Sequence, residues 1–318
     1  MPKDLDAALE SARQARQRIH GIAIRTPLIR LNSDSPAPDR EIFLKLENLQ
    51  PIGSFKIRGA ANVMLQLPRD RAGRGFLTAS AGNMAQGVAY CARLLGVPAT
   101  VITPDTVPET KLRAVERMGG RVIKVPFEQW WQTFETRSFP GVDATFVHAF
   151  DDPDVMAGNG TIGLELLEDL PDLDAVVVPW GGGGLTCGIA MVVKALKPSI
   201  RVYAVESETG APLTASRAAG HPVVVDYRPS FIDGIAGKTV FPGMFDMASR
   251  LVDDVIVVRL DEAASAIRLV AERARVLAEG AAACAVAAAI SGPAGQGKIA
   301  AIVSGGNIDL HKFCELCR

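Results

Sequence analysis

One lysine of this chain sits where chemistry could use it. Lys56 lies in Ser54-Phe55-Lys56-Ile57-Arg58-Gly59, past a Pro51/Gly53 turn and an apolar run at 42–46, and opens an Ala/Met/Leu segment of helical character. A lysine at a strand-to-helix handover sits on the rim of a sheet, where burial can lower its pKa and leave a neutral, reactive amine. Alone, the hexapeptide reads as a solvated surface lysine, the commoner fate of that residue. Its company changes the weighing. Gly181, Gly182, Gly183 and Gly184 follow the apolar run 176–180 and precede a helical segment that starts at Leu185. Four glycines can close backbone around an anion at a helix N-terminus, so this stretch reads as a phosphate cradle. Ser80-Ala81-Gly82-Asn83, just before Met84 and a helix, offers N–H groups to a second anion such as a substrate carboxylate, or else forms an ordinary helix cap. Ser304-Gly305-Gly306-Asn307 follows a third apolar run, and its hydroxyl is either a cap or a ligand contact. A lysine, a phosphate cradle, a carboxylate nest and a neutral hydroxyl are together the parts needed to hold pyridoxal phosphate.

The elements that must position these residues follow from periodicity. Residues 4–20 read as a charged amphipathic helix, and Thr26-Pro27-Leu28 as an extended turn before the first strand. Runs rich in Val and Ile recur at 75–79, 99–103, 121–125, 144–148, 175–179, 202–206, 255–258 and 298–304, mostly separated by segments of helical period. Strand and helix in alternation predict an α/β fold with open, mostly parallel sheets covered by helices. Turn-rich residues near 50 and 140 predict a large domain from 1–50 and 145–318 and a small domain from 51–144. Lys56 would then lie near the hinge, and a ligand in the cleft between the two.

Composition limits the partners. The chain has 318 residues, 48% of them hydrophobic, and its 34 basic and 35 acidic residues leave a formal charge of -1. That balance gives no reason to expect nucleic acid as a partner and points to a small molecule. No apolar run is long enough to span a membrane, and the N-terminus lacks a signal peptide's apolar segment, so a cytoplasmic location is expected. Five scattered cysteines argue for reduced thiols, and Cys314-x-x-Cys317 with His311 falls at helical spacing that favours packing over metal binding. A nucleotide-binding α/β protein using the glycines at 181–184 with Glu206 is a competing reading, though G-x-G-x-x-G cannot be threaded through them.

Several of these stretches in this order resemble the serine/threonine dehydratases of the fold type II pyridoxal-phosphate enzymes, from about Thr26 to Leu310. The lysine stretch is similar to S-F-K-x-R-G, residues 80–87 to S-x-G-N-H-x-Q-G, and 181–185 to G-G-G-G-L/M; Ala157-Gly158-Asn159-Gly160-Thr161 and 304–307 are also family-like. The resemblance implies that Lys56 carries the cofactor and then acts as base at the substrate Cα. Phe55 would lie against the ring, Asn83 bond its hydroxyl and Ser304 face its nitrogen, while Glu279 tunes it. Gly181, Gly182, Gly183, Gly184 and Leu185 would hold the phosphate, and Ser80, Ala81, Gly82, Asn83 and Met84 the substrate carboxylate. It implies deamination of a β-hydroxy amino acid, L-threonine or L-serine first, by a homodimer without a regulatory domain. Met84 replaces the family's His, and Trp130-Trp131 is unusual, so phenylserine or 3-hydroxyaspartate is the close alternative. Those tryptophans, at helical spacing with Phe134, read foremost as packing. A racemase or β-replacement enzyme is the other rival. Ala81 stands where the racemases carry a serine, and the synthases' lysine motif is missing. No metal is expected, because Pro212 stands where a second carboxylate would join Glu206.

Overall fold

In a computed structural model, described for residues 2–32, 39–80, 82–107, 109–235 and 237–318, the Val/Ile runs become the strands of two sheets. The chain opens with α1 (Pro2–Arg18), β1 (Leu28–Arg30), β2 (Arg40–Lys45) and a 3-10 turn (Glu47–Leu49). It continues through α2 (Lys56–Gln66), α3 (Arg69–Ala72), β3 (Phe76–Ala79), α4 (Asn83–Leu95), β4 (Ala99–Pro104), α5 (Glu109–Arg117), β5 (Arg121–Val125), α6 (Phe127–Thr136) and β6 (Thr145–Phe146). Then follow α7 (Pro153–Asp169), β7 (Ala175–Pro179), α8 (Gly184–Leu196), β8 (Arg201–Ser207), α9 (Pro212–Ala219) and α10 (Pro242–Leu251). The last elements are β9 (Asp254–Val258), α11 (Leu260–Ala274), α12 (Gly280–Ser291), β10 (Gly297–Ile302) and α13 (Leu310–Leu316).

One sheet has the order β1-β2-β10-β7-β8-β9, the other β5-β4-β3-β6. All neighbours are parallel except β1, which runs antiparallel to β2 with Leu28 opposite Lys45. The expected extended turn at Leu28 is thus a short edge strand, whose three residues offer no alternation to read. Strand β7 shows why the larger sheet needs helices on both faces. Val176 and Val178 pack with Leu185 and Ile189 of α8, while Val177 packs with the alanines of α12. Among the described residues no helix is long and apolar enough to cross a membrane.

Helix α2 carries the lysine, and a buried ionic cluster holds it. Arg58 donates from Nε and Nη2 to the two oxygens of Glu47, at 2.8 Å each, and from Nη1 and Nη2 to those of Glu165, at 2.7 and 2.9 Å. Lys45 donates to Glu165 at 2.6 Å and to the Thr26 carbonyl at 2.7 Å. The Thr26 hydroxyl donates to Glu47, and Thr161 accepts from Arg58. The four charged side chains are 0–5% exposed, so two cations and two carboxylates balance away from water. The cluster ties β2, the 3-10 turn, α2 and α7 together. Burial alone would raise the Glu47 carboxyl, but the charge and hydrogen bonds of Arg58, with Thr26 and Lys45, hold it below its ordinary value. Its contribution is therefore complete above the ordinary glutamate range and is lost as the pH falls through the depressed folded value. Arg58→Ala, which strips buried Glu47 of its paired cation and leaves Glu165 only Lys45, is expected to destabilise the protein by about 3–5 kcal/mol in denaturant unfolding at neutral pH. The loss should shrink in acid as Glu47 protonates.

Candidate active site

Lys56 is the first residue of α2, and that placement works against its charge. The helix has no acidic residue in its first turn and no side-chain cap, so the ammonium meets the positive end of the helix dipole. The side chain is partly buried, with Nζ 5.0 Å from the centroid of the Phe55 ring and donating to the Ala149 carbonyl at 2.6 Å. Burial pulls the amine down to about 8, and the carboxylate of Glu279 opposes the fall. Roughly a tenth of the amine is thus neutral at pH 7, against well under a thousandth for an ordinary lysine of pKa about 10.4, and that fraction can act as a nucleophile or base.

Ala149 belongs to a turn stiffened by His148. Nδ1 of His148 accepts from the backbone N–H of Phe150 at 3.2 Å and of Asp151 at 2.8 Å. Burial, with Arg137 and Lys56, pushes this imidazole down to about 3, so it stays a neutral acceptor. Asp152 then caps α7, accepting from the N–H groups of Asp154 and Val155, with Pro153 at the first helical position. The Phe150 ring packs on the glycine loop. A Cβ at Gly182 would lie 2.1 Å from that ring, and one at Gly184 would lie 2.6 Å from the Phe150 carbonyl oxygen. Gly183 has φ 91° and is the N-cap of α8, with no side-chain cap. The loop must be glycine, and its helix N-terminus is left without a competing side chain. Leu185 is buried in the first turn of α8, and Asn159 Nδ2 donates to the Gly184 carbonyl at 3.1 Å.

The other predicted residues converge from distant parts of the chain. The Phe55 N–H donates to the Ser304 carbonyl at 3.0 Å, and Ser54 bridges Gly305 in antiparallel fashion. The Glu279 N–H donates to the Gly305 carbonyl, while its carboxylate accepts from Asn83 Nδ2 at 2.9 and 3.2 Å. A Cβ at Gly234 would lie 3.5 Å from Glu279 Oε1, and one at Gly181 would lie 3.0 Å from the Gly234 carbonyl oxygen, which closes the ring of elements. Ser80 directly follows β3, and its Oγ accepts from the Gly82 N–H at 3.3 Å. Gly82 caps α4 without a side chain, so the first N–H groups of that helix remain suited to an anion. Met84 is buried in the apolar core around Ile52 and Val88, so its side chain is spent on packing. Ala81 lies outside the described residues.

Three features the sequence singled out do other work. Glu206 accepts from the N–H groups of Leu213 and Thr214 and from the Thr214 hydroxyl, capping α9. Trp130 and Trp131 join Phe134, His148, Phe150 and Phe241 in one aromatic cluster. Cys314 on α13 and Cys317 at its C-cap are unbridged, with Cys317 against the core. Sequence reasoning missed Ala149, whose part is played by a carbonyl that every residue has, and His148, whose only signal is its place before Phe150-Asp151-Asp152-Pro153.

An amine of lowered pKa, two uncapped helix N-termini for two anions, and an amide and carboxylate beside them suit a phosphorylated aldehyde and an amino acid. Comparison with known proteins agrees. A family model described as pyridoxal-phosphate dependent enzyme matches residues 19–305, and the chain belongs to that family. It is 40% identical over 306 residues to an L-threonine ammonia-lyase of Thermotoga maritima, across 95% of this chain and 76% of that protein. The processed form of threonine deaminase isoform 2 from Solanum lycopersicum superposes with a TM-score of 0.89 at 34% identity, covering 99% of this chain and 88% of that one. Maize serine racemase superposes with a TM-score of 0.88 at 34% identity, covering 96% and 95%.

Two measurements check the site. Reaction of the cofactor-free protein with pyridoxal phosphate, trapped by borohydride at Lys56, should rise with pH with a midpoint of about 8. Glu279→Gln should move that midpoint lower, because the carboxylate is what opposes the fall. Gly182→Ala should destabilise the fold by about 1–3 kcal/mol by overpacking Phe150. Gly243→Ala, with nothing within 4 Å of the new methyl, should leave unfolding unchanged.

Proposed function

We propose that this protein is a pyridoxal-phosphate dependent ammonia-lyase that removes the β-hydroxyl of L-threonine or L-serine and releases a 2-oxo acid and ammonia. The observation that carries the reading is the Lys56 amine, held between the Phe55 ring and the Ala149 carbonyl with its pKa drawn down to about 8. Bound at Lys56, the cofactor supplies the sink for electrons released from the substrate Cα. The protein supplies the rest. Gly181, Gly182, Gly183, Gly184 and Leu185 hold the phosphate with loop and helix N–H groups, and residues 80–84 hold the substrate carboxylate in the same way. Lys56, once displaced by the substrate amine, takes the Cα proton. Asn83 and Glu279 orient the ring. Ser304 presents a neutral hydroxyl rather than a carboxylate to the ring nitrogen, which favours a short elimination over long-lived carbanion chemistry. Loss of the Cα proton and the β-hydroxyl removes one water, and hydrolysis of the released product returns it, so the net products are the 2-oxo acid and ammonia.

The reading extends to a cytoplasmic homodimer in which residues 1–50 and 145–318 form the cofactor domain and 51–144 the small domain. A small substrate side chain is preferred because the rings of Trp131, Phe134, Phe150 and Phe241 are spent on one another. Racemisation is disfavoured because Ala81 has no hydroxyl to serve the second face. The test is release of 2-oxo acid and ammonia from L-threonine, L-serine, L-phenylserine and both 3-hydroxyaspartate diastereomers, against Lys56→Ala. Turnover of threonine or serine that falls to background in the variant is expected. Silence on all five, or an active Lys56→Ala, overturns the assignment.

A further inference from the structure

The loop after β10 places Asn307 between two parts of the site. Its Nδ2 donates to the Ile52 carbonyl at 2.8 Å and to Asn83 Oδ1 at 2.7 Å. Asn83 Nδ2 in turn donates to both oxygens of Glu279. Both ends of this chain of bonds only accept: a peptide carbonyl at Ile52 and a carboxylate at Glu279. The amides between them therefore have one consistent orientation. Asn307 must turn its NH2 to Ile52, its second N–H must meet an oxygen, and Asn83 is thereby left with its NH2 pointing away from Asn307. The backbone fixes this reach, because the Gly306 N–H donates to the Gly53 carbonyl at 2.9 Å. Gly53 also clears the space, since a Cβ there would lie 2.6 Å from Asn307 Oδ1.

We propose that Asn307 is a positioning residue that locks the Asn83 amide with its Oδ1 towards Asn307 and its NH2 on the Glu279 side, so that Asn83 meets the ring oxygen of pyridoxal phosphate as a donor and never as an acceptor. This rests on the reading of Asn83 as the residue that bonds that oxygen. A donor stabilises the oxygen as an anion, whereas a flipped amide would set lone pair against lone pair. Asn307→Asp inverts the chain. Its carboxylate cannot donate to Asn83 or Ile52, and it competes with Glu279 for the Asn83 NH2. Asn307→Ala, which introduces no charge, only releases the lock. Asn307 is exposed, so neither change removes core packing.

The experiment uses the holoenzyme and the four combinations of Asn307→Asp with Asn83→Ala, plus Asn307→Ala. Two quantities are read: cofactor affinity, and the fraction of bound cofactor with a deprotonated ring oxygen, from its visible absorbance at fixed pH. Asn307→Asp is expected to weaken binding about three- to tenfold, the scale of one hydrogen bond, and to lower the deprotonated fraction. Asn307→Ala should move both the same way by less. In the Asn83→Ala background the effect of Asn307→Asp should drop below about twofold, because the residue it acts through is gone. Variants that bind cofactor with unchanged absorbance and affinity, or an effect of equal size without Asn83, overturn the proposal. A wild-type protein that takes up no pyridoxal phosphate overturns the functional reading and this role with it.

Discussion

The site depends on a buried charge balance that takes no part in its chemistry. Arg58 stands two residues beyond Lys56 on α2 and spends its guanidinium on Glu47 and Glu165, with Lys45 as the second cation. A helix that opens with a lysine, has no acidic first turn and lacks a side-chain cap has little to favour its start. Its first turn is instead pinned to the 3-10 turn and α7, and through Lys45 to β2, by bonds whose loss would strand charge away from water. Such clusters add less stability than apolar packing would, yet they allow few alternative registers. A slide of α2 against α7 would break several charge-assisted bonds at once, and the start of α2, with its lysine, is thereby held in one register.

Around that fixed point the site is a meeting of short backbone segments. The lysine is held against a carbonyl, a helix start and an aromatic face, and its pKa records the net result. Burial lowers it and Glu279 limits the drop. His148 contributes by staying uncharged. Two inward hydrogen bonds from Phe150 and Asp151 require its Nδ1 lone pair, and the rings around it exclude the water that would stabilise a proton there. The same turn then packs Phe150 onto Gly182, so the positions of the amine's hydrogen-bond acceptor and the glycine loop are set together.

Much of this was legible in the sequence, and the reason is physical. Glycine runs between an apolar strand and a helix have few structural explanations, so Gly181–Gly184 announce themselves, whereas the 304–307 loop reads alone as a cap and gains meaning only from its company, and Val/Ile runs with helical spacers announce a parallel α/β fold. The ionic cluster was illegible because Lys45, Glu47, Arg58 and Glu165 are residue types that water normally claims, and Lys45 and Glu165 lie far apart in the chain. Edge strand β1 was illegible because three residues carry no period. Trp130 and Trp131 read correctly as packing, since helical spacing with Phe134 places the rings together. Glu206 matched a pattern, yet its environment, two helix N–H groups and a hydroxyl, could come only from the fold.

Strand β10 lies between β2 and β7 and is the parallel neighbour of both. The loop and helix on either side of it bring Ser304, Asn307 and Glu279 to the lysine. A chain lacking β10 would leave β2 and β7 with facing open edges. Its lysine would sit in an unfinished pocket. The residues that complete the lysine's surroundings thus flank the strand that joins β2 to β7, so any change that loosens β10 would open the larger sheet and the lysine's pocket together.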